Sequence, residues 1–131
     1  MKQSGFQFTN PIISRINYMI HPNFTWDKEE ALTITNSFKT NISRKTNACQ
    51  AIVELSITIG NPDETKEPFF IEMTIGASFR WEDAYTEDTI RNLLSINAPA
   101  LLLGYARPIV STITSMSPYP AYDIPFYNFT R

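Results

Sequence analysis

The side chains that commonly perform catalysis or bind metals are few in this sequence and lie far apart. His21 is the only histidine and Cys49 is the only cysteine. A single cysteine forms neither an internal disulfide nor a cysteine-based metal site, so a metal would depend on carboxylates alone. The acidic groups at residues 27–30 and 63–67 lie in polar stretches and are typical of solvated charge. We therefore expect no enzymatic activity, no metal and no cofactor.

The charge balance and the absence of targeting patterns exclude further classes of function. The net charge is −2, from 11 basic and 13 acidic residues, whereas nucleic-acid binding normally needs a basic patch or stripe. The N-terminus opens no signal peptide, and no run of about 18 apolar residues occurs. We expect one domain, residues 1–131, in the cytoplasm, with no nucleic-acid partner and no membrane insertion.

Four segments alternate apolar and polar residues with the period of a β-strand. They are residues 11–20, 32–42, 52–59 and 69–81. The last is the clearest, because its odd-numbered residues from Phe69 to Trp81 are apolar, whereas most even-numbered ones are polar or small. This pattern predicts an antiparallel sheet with one buried face and one solvated face. The turn-forming residues 60–64 favour a hairpin between the last two segments.

After Trp81 the apolar period changes to that of a helix. Thr86 resembles an N-cap. The spacing of the apolar residues predicts a long helix over residues 98–116, with Asn97 as the cap residue that precedes it. Pro108 removes a helical hydrogen bond and its ring presses on the carbonyl of Gly104, which predicts a kink between them. Arg107 is the only charge between residues 98 and 110, so the helix has too little polar surface to lie on a sheet with its other side in water.

The last residues, 117–129, combine three prolines with five aromatic residues. Such dense prolines exclude a regular helix, and the aromatic side chains are not typical of a solvated linker. We expect an extended segment packed on the rest of the protein. This segment, a second subunit or a ligand would then cover the remaining apolar surface of the helix.

The helix and the final segment resemble the SecB family of protein-export chaperones, without its C-terminal second helix. The resemblance is carried, in chain order, by Ala98-Pro99, Leu101-Leu102-Leu103, Tyr105-Ala106-Arg107, Ile109-Val110-Ser111, Ile113-Thr114, Pro118–Pro120 and Ile124-Pro125-Phe126-Tyr127-Asn128-Phe129. It implies an α+β fold, in which a four-stranded antiparallel Greek-key sheet is followed by a long kinked helix and an extended Pro- and aromatic-rich segment.

The resemblance also implies a function. It implies an ATP-independent holdase for protein export, assembled as a homotetramer from two dimers, whose partners are non-native polypeptides and the translocase motor ATPase. The family's second helix and its tail, which contacts the motor, have no counterpart in the sequence. We therefore expect binding of the motor ATPase less than binding of non-native polypeptides. The implied polypeptide-binding residues are Leu32 and Ile34 on the second strand, Tyr105 and Ile109 on the helix, and Tyr119, Tyr122 and Phe126 on the crossover.

Three functions are compatible with these residues. The first is a general holdase for secretory or aggregation-prone proteins. The second is a companion chaperone dedicated to one partner, such as an antitoxin. The third is a small apolar-ligand-binding protein or enzyme, which would require a closed cavity.

Overall fold

The computed structural model describes residues 1–130, which form one antiparallel sheet, one interrupted helix and an extended C-terminal segment. The strands are β1 (Phe6–Phe8), β2 (Ile12–Ile20), β3 (Asn36–Ser43), β4 (Gln50–Gly60) and β5 (Phe69–Trp81). The helical elements are α1 (Glu87–Asn92), a π-helical turn (Leu93–Asn97) and α2 (Ala98–Ser115).

The sheet contains five strands but is only four strands wide, because β1 and β2 share one position beside β5. β3, β4 and β5 pair in sequence as antiparallel neighbours. β1 and β2 both pair with the other side of β5, β1 near Trp81 and β2 from Gly76 to Phe69. β2, which precedes the two hairpins in the sequence, thus lies beside β5, the last strand of the second hairpin. This order confirms the predicted Greek key. The added strand β1 is separated from β2 by a break that contains Pro11, which has no N–H to donate to a ladder.

A β-bulge in β2 lies at Ser14, the polar residue among the otherwise apolar even-numbered positions from Ile12 to Ile20. Ile13 pairs with Ile75 and Arg15 with Thr74, so Ser14 is the extra residue. Beyond the bulge Ile16, which pairs with Met73, lies on the same face as the core residues of β5.

The predicted start of β3 is wrong by four residues. Leu32 and Ile34 precede the strand, which begins at Asn36. The reason is that Thr35 is bound to the β4–β5 turn: its N–H donates to Glu67 Oε1 at 2.6 Å and its carbonyl accepts from Gly60 N at 2.8 Å. Leu32 and Ile34 are nevertheless half-buried and their neighbours exposed, so the alternation correctly identified which side chains point inward.

The core lies between the sheet and the helix. The alternating residues from Ala51 to Ile59 in β4 and from Phe69 to Trp81 in β5 are buried, as their pattern predicts. From α2 the buried side chains include Leu102, Ala106 and Val110, which repeat every four residues and so form one stripe along the helix.

The helix begins at the predicted cap but departs from the predicted form at Asn97. Thr86 accepts a hydrogen bond from Thr89 N at 3.2 Å. Asn97 makes no capping bond, because the chain continues from α1 into α2 through the π-helical turn, whose wider ladder joins Ala98 N–H to the carbonyl of Leu93. Pro99 cannot make the usual bond to a carbonyl four residues earlier, and a π-turn removes that requirement. α2 then runs through Gly104 and Pro108 without interruption.

Removing the hydroxyl of Thr86 should destabilise the start of this helix. We expect Thr86→Ala to lower the free energy of unfolding by about 1 kcal/mol, because Thr89 N loses its acceptor. Thr86→Ser keeps the oxygen and serves as the control. Urea unfolding followed by circular dichroism measures both, and equal losses in the two variants would contradict the capping role.

By length and composition, the helical stretch Glu87–Ser115 would also be able to cross a membrane. Its most buried residues face β4 and β5, as in the core helix of a sheet-containing domain. This feature is therefore weak evidence against the expectation that the protein does not insert in membranes.

Residues 117–130, here called the crossover, are extended and packed, as predicted. They return along the helix from its C-terminal end towards β3. Ile124 is fully buried, and its carbonyl accepts a hydrogen bond from Arg107 Nε at 2.8 Å. Further on, the ring of Tyr127 lies 4.7 Å from that of Phe38 in β3. The helix thus covers the middle of the sheet, and the crossover covers the β3 side.

Candidate polypeptide-binding groove

An open apolar groove of about 250 Å³ lies between the crossover and the β2–β3 connection, which comprises residues 21–35. Its lining residues are Trp26, Glu30, Ala31, Leu32, Ile34, Phe69, Pro120, Ala121 and Tyr122. One of these nine carries a charge, and three are aromatic. Such a surface offers burial to apolar side chains and little specificity from hydrogen bonds.

Tyr122 is held in the groove wall at both its backbone and its ring. Its N–H donates to Thr114 Oγ1 at 2.7 Å, and this buried hydroxyl in turn donates to the carbonyl of Val110 at 2.8 Å. The phenol oxygen accepts a hydrogen bond from Asn36 Nδ2, and the ring packs against Phe69 with 6.1 Å between centroids. Helix, sheet and crossover therefore position this one residue together.

Asn36 connects β3 to two crossover residues. Its Nδ2 also donates to the hydroxyl of Tyr127 at 2.9 Å. Both phenols are thereby bound to the same side chain at the first residue of β3. This arrangement fixes the crossover against the strand edge along several residues.

The ionisation of Tyr122 should weaken the docking of the crossover at alkaline pH. Burial raises the pKa of this phenol above its ordinary value of 10.0, and the hydrogen bond from Asn36 opposes the rise. The raised pKa means that the neutral form stabilises the fold. This contribution is complete below the unfolded pKa, near 10, and is lost as the pH rises through the folded pKa. The reference pKa of tyrosine is about 10. Between about pH 9 and 12 the melting temperature should therefore fall more steeply with pH for the wild type than for Tyr122→Phe, and parallel curves would contradict this.

Tyr119 anchors the first part of the crossover to the β2–β3 connection. Its hydroxyl donates to the carbonyl of His21 at 3.2 Å. Its ring meets those of Phe24 and Trp26 edge-on, at 5.9 Å and 6.2 Å. His21 is itself buried, with Nδ1 2.9 Å from the carbonyl oxygen of Glu67. The histidine thus has a structural environment at the end of the sheet.

The structure brings four of the seven implied binding residues to this end of the molecule. Leu32, Ile34 and Tyr122 line the groove, and Tyr119 lies beside it in contact with Trp26. Phe126 is 86% exposed and is absent from the groove lining.

Tyr105 and Ile109 lie on the opposite flank of α2 from the crossover. Arg107 reaches Ile124, and a helix turns by about 100° per residue, so residues two positions before and after Arg107 point away from it. Tyr105, 46% exposed, contacts Phe8 at 6.1 Å between ring centroids. We call the apolar surface formed by Phe8, Ile16, Ile20, Tyr105 and Ile109 the β2 flank.

Sequence reasoning missed six of the nine lining residues, which are Trp26, Glu30, Ala31, Phe69, Pro120 and Ala121. A signal existed for Trp26, because a large aromatic residue in the polar stretch 21–30 needs a partner to cover it. Phe69 was recognised as a core residue, but that it would also line a groove depends on where the crossover lies.

Among the described residues that line the groove there is no histidine or cysteine, and Glu30 is the only carboxylate. Within residues 1–130, no group of three histidine, cysteine, aspartate or glutamate residues is arranged to hold a metal. Cys49 lies at the other end of the sheet, where its Sγ donates to Asp83 Oδ1 at 3.6 Å. Desolvation and that carboxylate raise the pKa of the thiol, which disfavours the nucleophilic thiolate.

Comparison with known proteins agrees with this architecture. An uncharacterised protein of Methanocaldococcus jannaschii is 28% identical over 127 residues, which are 95% of this chain and 79% of that protein. Among solved structures, the SecB-like chaperone of Mycobacterium tuberculosis, in complex with a ChAD peptide from the HigA1 antitoxin, superposes with a TM-score of 0.72 at 17% identity and covers 93% of this chain and 90% of its own. A protein of unknown function from Streptococcus agalactiae gives a TM-score of 0.50 at 14% identity, with 95% of this chain and all of that chain covered.

These two structural likenesses are evidence about the fold. The match to a protein family goes further, because it extends over residues 21–131 and so includes the β2–β3 connection, the hairpins, the helix and the crossover. That family is described as preprotein translocase subunit SecB. The protein belongs to the SecB family.

Proposed function

We propose that this protein is an ATP-independent holdase that binds non-native polypeptides in the groove beside the crossover. The observation that carries the proposal is the groove itself, an open apolar surface of about 250 Å³ with three aromatic walls. A folded client would hide its apolar side chains, whereas an extended non-native segment can place them in such a groove. We assign client contacts to Leu32, Ile34 and Tyr122, with Tyr119 beside them.

An open groove of this kind fits a peptide side chain better than a small ligand. The lining residues Glu30, Ala31 and Pro120 are exposed, so one side of the groove faces solvent. Small-molecule sites usually bury most of their ligand. The polypeptide interpretation therefore takes precedence over a small apolar ligand.

We further propose that the β2 flank is the surface through which copies of the chain associate. Ile16, Ile20 and Tyr105 are exposed there, and Met116 is exposed at the end of the same helix. Large apolar patches of this kind usually mark interfaces. Tyr105 and Ile109 would then contribute to assembly, and the assembly would be a homotetramer made from two dimers of the single domain, residues 1–131.

Two measurements test the holdase together with its assembly. Aggregation of insulin after reduction of its disulfides should be suppressed by this protein at a near-stoichiometric ratio, and static light scattering should give the mass of four chains. Aggregation at the rate seen with bovine serum albumin in place of this protein would contradict the proposal. A monomeric mass would contradict only the assembly.

The second candidate is a companion chaperone for one partner. It is favoured by the structural likeness to a SecB-like chaperone that was solved with a peptide from an antitoxin. A dedicated chaperone should bind one protein tightly and suppress insulin aggregation poorly. Affinity capture from the source organism, followed by a binding measurement on the recovered protein, separates the two.

Family membership also supports a place in protein export. We propose that the protein acts in the cytoplasm and delivers clients to the translocase, whose motor ATPase would be its second partner. Co-sedimentation with the motor tests this step independently of client binding. A protein that suppresses aggregation but does not bind the motor would be a holdase without this targeting role.

A further inference from the structure

The β2–β3 connection is fixed at its two ends and hydrogen-bonded mainly to itself between them. At one end His21 N donates to the carbonyl of Pro68 at 2.9 Å, and at the other Thr35 N donates to Glu67 Oε1 at 2.6 Å. Within residues 1–130, the hydrogen bonds made by residues 22–34 stay inside the connection. These bonds would persist if the segment moved as a unit.

Side-chain packing is what holds residues 22–34 against the body of the protein. Phe24 and Trp26 contact Tyr119, and Leu32 and Ile34 pack along the groove. The indole N–H of Trp26 donates to the carbonyl of Glu30, which lies in the same segment, at 3.1 Å. Trp26 can therefore leave the groove without breaking a hydrogen bond to the rest of the molecule.

We propose that residues 22–31 form a hinged flap whose Trp26 closes one end of the groove until a client aromatic side chain displaces it, while Leu32 and Ile34, next to the anchored Thr35, stay in the lining. The hinge rests on the hydrogen-bond pattern alone. The displacement of Trp26 by a client rests in addition on the proposed client-binding function. Trp26 contacts the ring of Tyr119 edge-on, at 6.2 Å and 64°, which is a geometry that a client tryptophan or phenylalanine can reproduce. Compact loops of this length with closed ends are commonly mobile and functional.

The hinge is tested on the free protein by hydrogen exchange. Peptides covering residues 22–31 should exchange at least a hundredfold faster than β5, and low concentrations of urea should leave their rate unchanged, because local opening exposes little surface. Exchange that tracks global unfolding, with the urea dependence of β5, would overturn the flap. This measurement needs no client and does not depend on the proposed function.

Displacement is tested by the fluorescence of Trp26 in a Trp81→Phe background. Trp81 is the only other tryptophan, and its buried Nε1 has no hydrogen-bond partner within residues 1–130, so phenylalanine sacrifices no hydrogen bond there. On addition of reduced, carboxymethylated ribonuclease A, which contains no tryptophan, the emission of Trp26 should shift to longer wavelength and Trp26 should become about twofold more accessible to acrylamide. A shift to shorter wavelength with reduced quenching would show that Trp26 stays as a wall, which overturns displacement.

The sign of the effect of Trp26→Ala on affinity gives a second, independent readout. If Trp26 competes with the client, its removal should tighten binding of reduced, carboxymethylated α-lactalbumin by about tenfold, and Trp26→Phe should bind like the wild type. Weaker binding by Trp26→Ala would overturn the proposal. Ile12→Ala, on the opposite face of the sheet and 70% exposed, is the control and should bind like the wild type. Failure of the wild type to bind at all would contradict the holdase and the displacement step, while the exchange experiment would still decide the hinge.

Discussion

Replacing Ile124 with alanine should lower the free energy of unfolding by about 2–5 kcal/mol, the range for large-to-small substitutions in well-packed cores. Ile124 is fully buried although it lies in a segment without regular secondary structure. Its neighbours in the crossover, Asp123 and Pro125, are exposed, so this one side chain provides much of the apolar contact that docks the segment. Urea unfolding followed by tyrosine and tryptophan fluorescence measures the loss.

The matched control is Ile12→Ala, because the same atoms are removed from a side chain that is 70% exposed. We expect a change of about 0.5 kcal/mol or less there. Should Ile124→Ala prove as mild as Ile12→Ala, the crossover would not be docked in solution as described, and the groove wall formed by Tyr122 would lose its support.

Introducing a carboxylate into the groove should weaken client binding more than any other single change in its lining. We expect Ile34→Asp to reduce the affinity for reduced, carboxymethylated α-lactalbumin by about a hundredfold, which corresponds to about 2.7 kcal/mol. A client side chain that packs against Ile34 would instead desolvate a charge, and Glu30 in the same lining adds a second negative charge. Fluorescence anisotropy of the labelled client measures the affinity, and urea unfolding checks that the variant is folded.

Phe126→Ala provides the contrast for this prediction. Resemblance to the family places Phe126 among the polypeptide-binding residues, whereas the structure leaves it 86% exposed and outside the groove lining. We expect its affinity to stay within about twofold of the wild type. A large loss at Phe126 together with a small one at Ile34 would move the client site from the groove to the outer surface of the crossover.

Much of the sheet could be predicted because the alternation of apolar and polar residues within each long strand shows which side chains are buried. The alternation in β4 and β5 identifies both segments as strands and gives their buried face from local residues alone. β1 was missed because Phe6–Phe8 is too short to show a period, and it exists only because β5 extends far enough to pair with it. The start of β3 was misplaced because Thr35 is bonded to Glu67 and Gly60, and no local pattern predicts such long-range partners.

The candidate site could be predicted only in part for a related reason. Leu32, Ile34 and Tyr122 were expected in one groove from the resemblance to the family, and the structure leaves all three half-buried. Tyr105 and Ile109 are apolar as well, but the side of α2 on which the crossover returns decides whether they meet it. The hydrogen bond from Arg107 to Ile124 fixes that side, and it joins residues 17 positions apart.

The double pairing of β5 has a consequence for how the chain is synthesised. Phe6 pairs with Trp81 and Ile20 with Phe69, so β1 and β2 can pair only after β5 has left the ribosome, some 50 to 75 residues later. The hairpins β3–β4 and β4–β5 join neighbouring segments and can close early. The pairing of β1 and β2 with β5 has a high contact order, and such pairings form slowly. During that interval Ile12, Ile13 and Ile16 are an exposed apolar segment of a nascent chain.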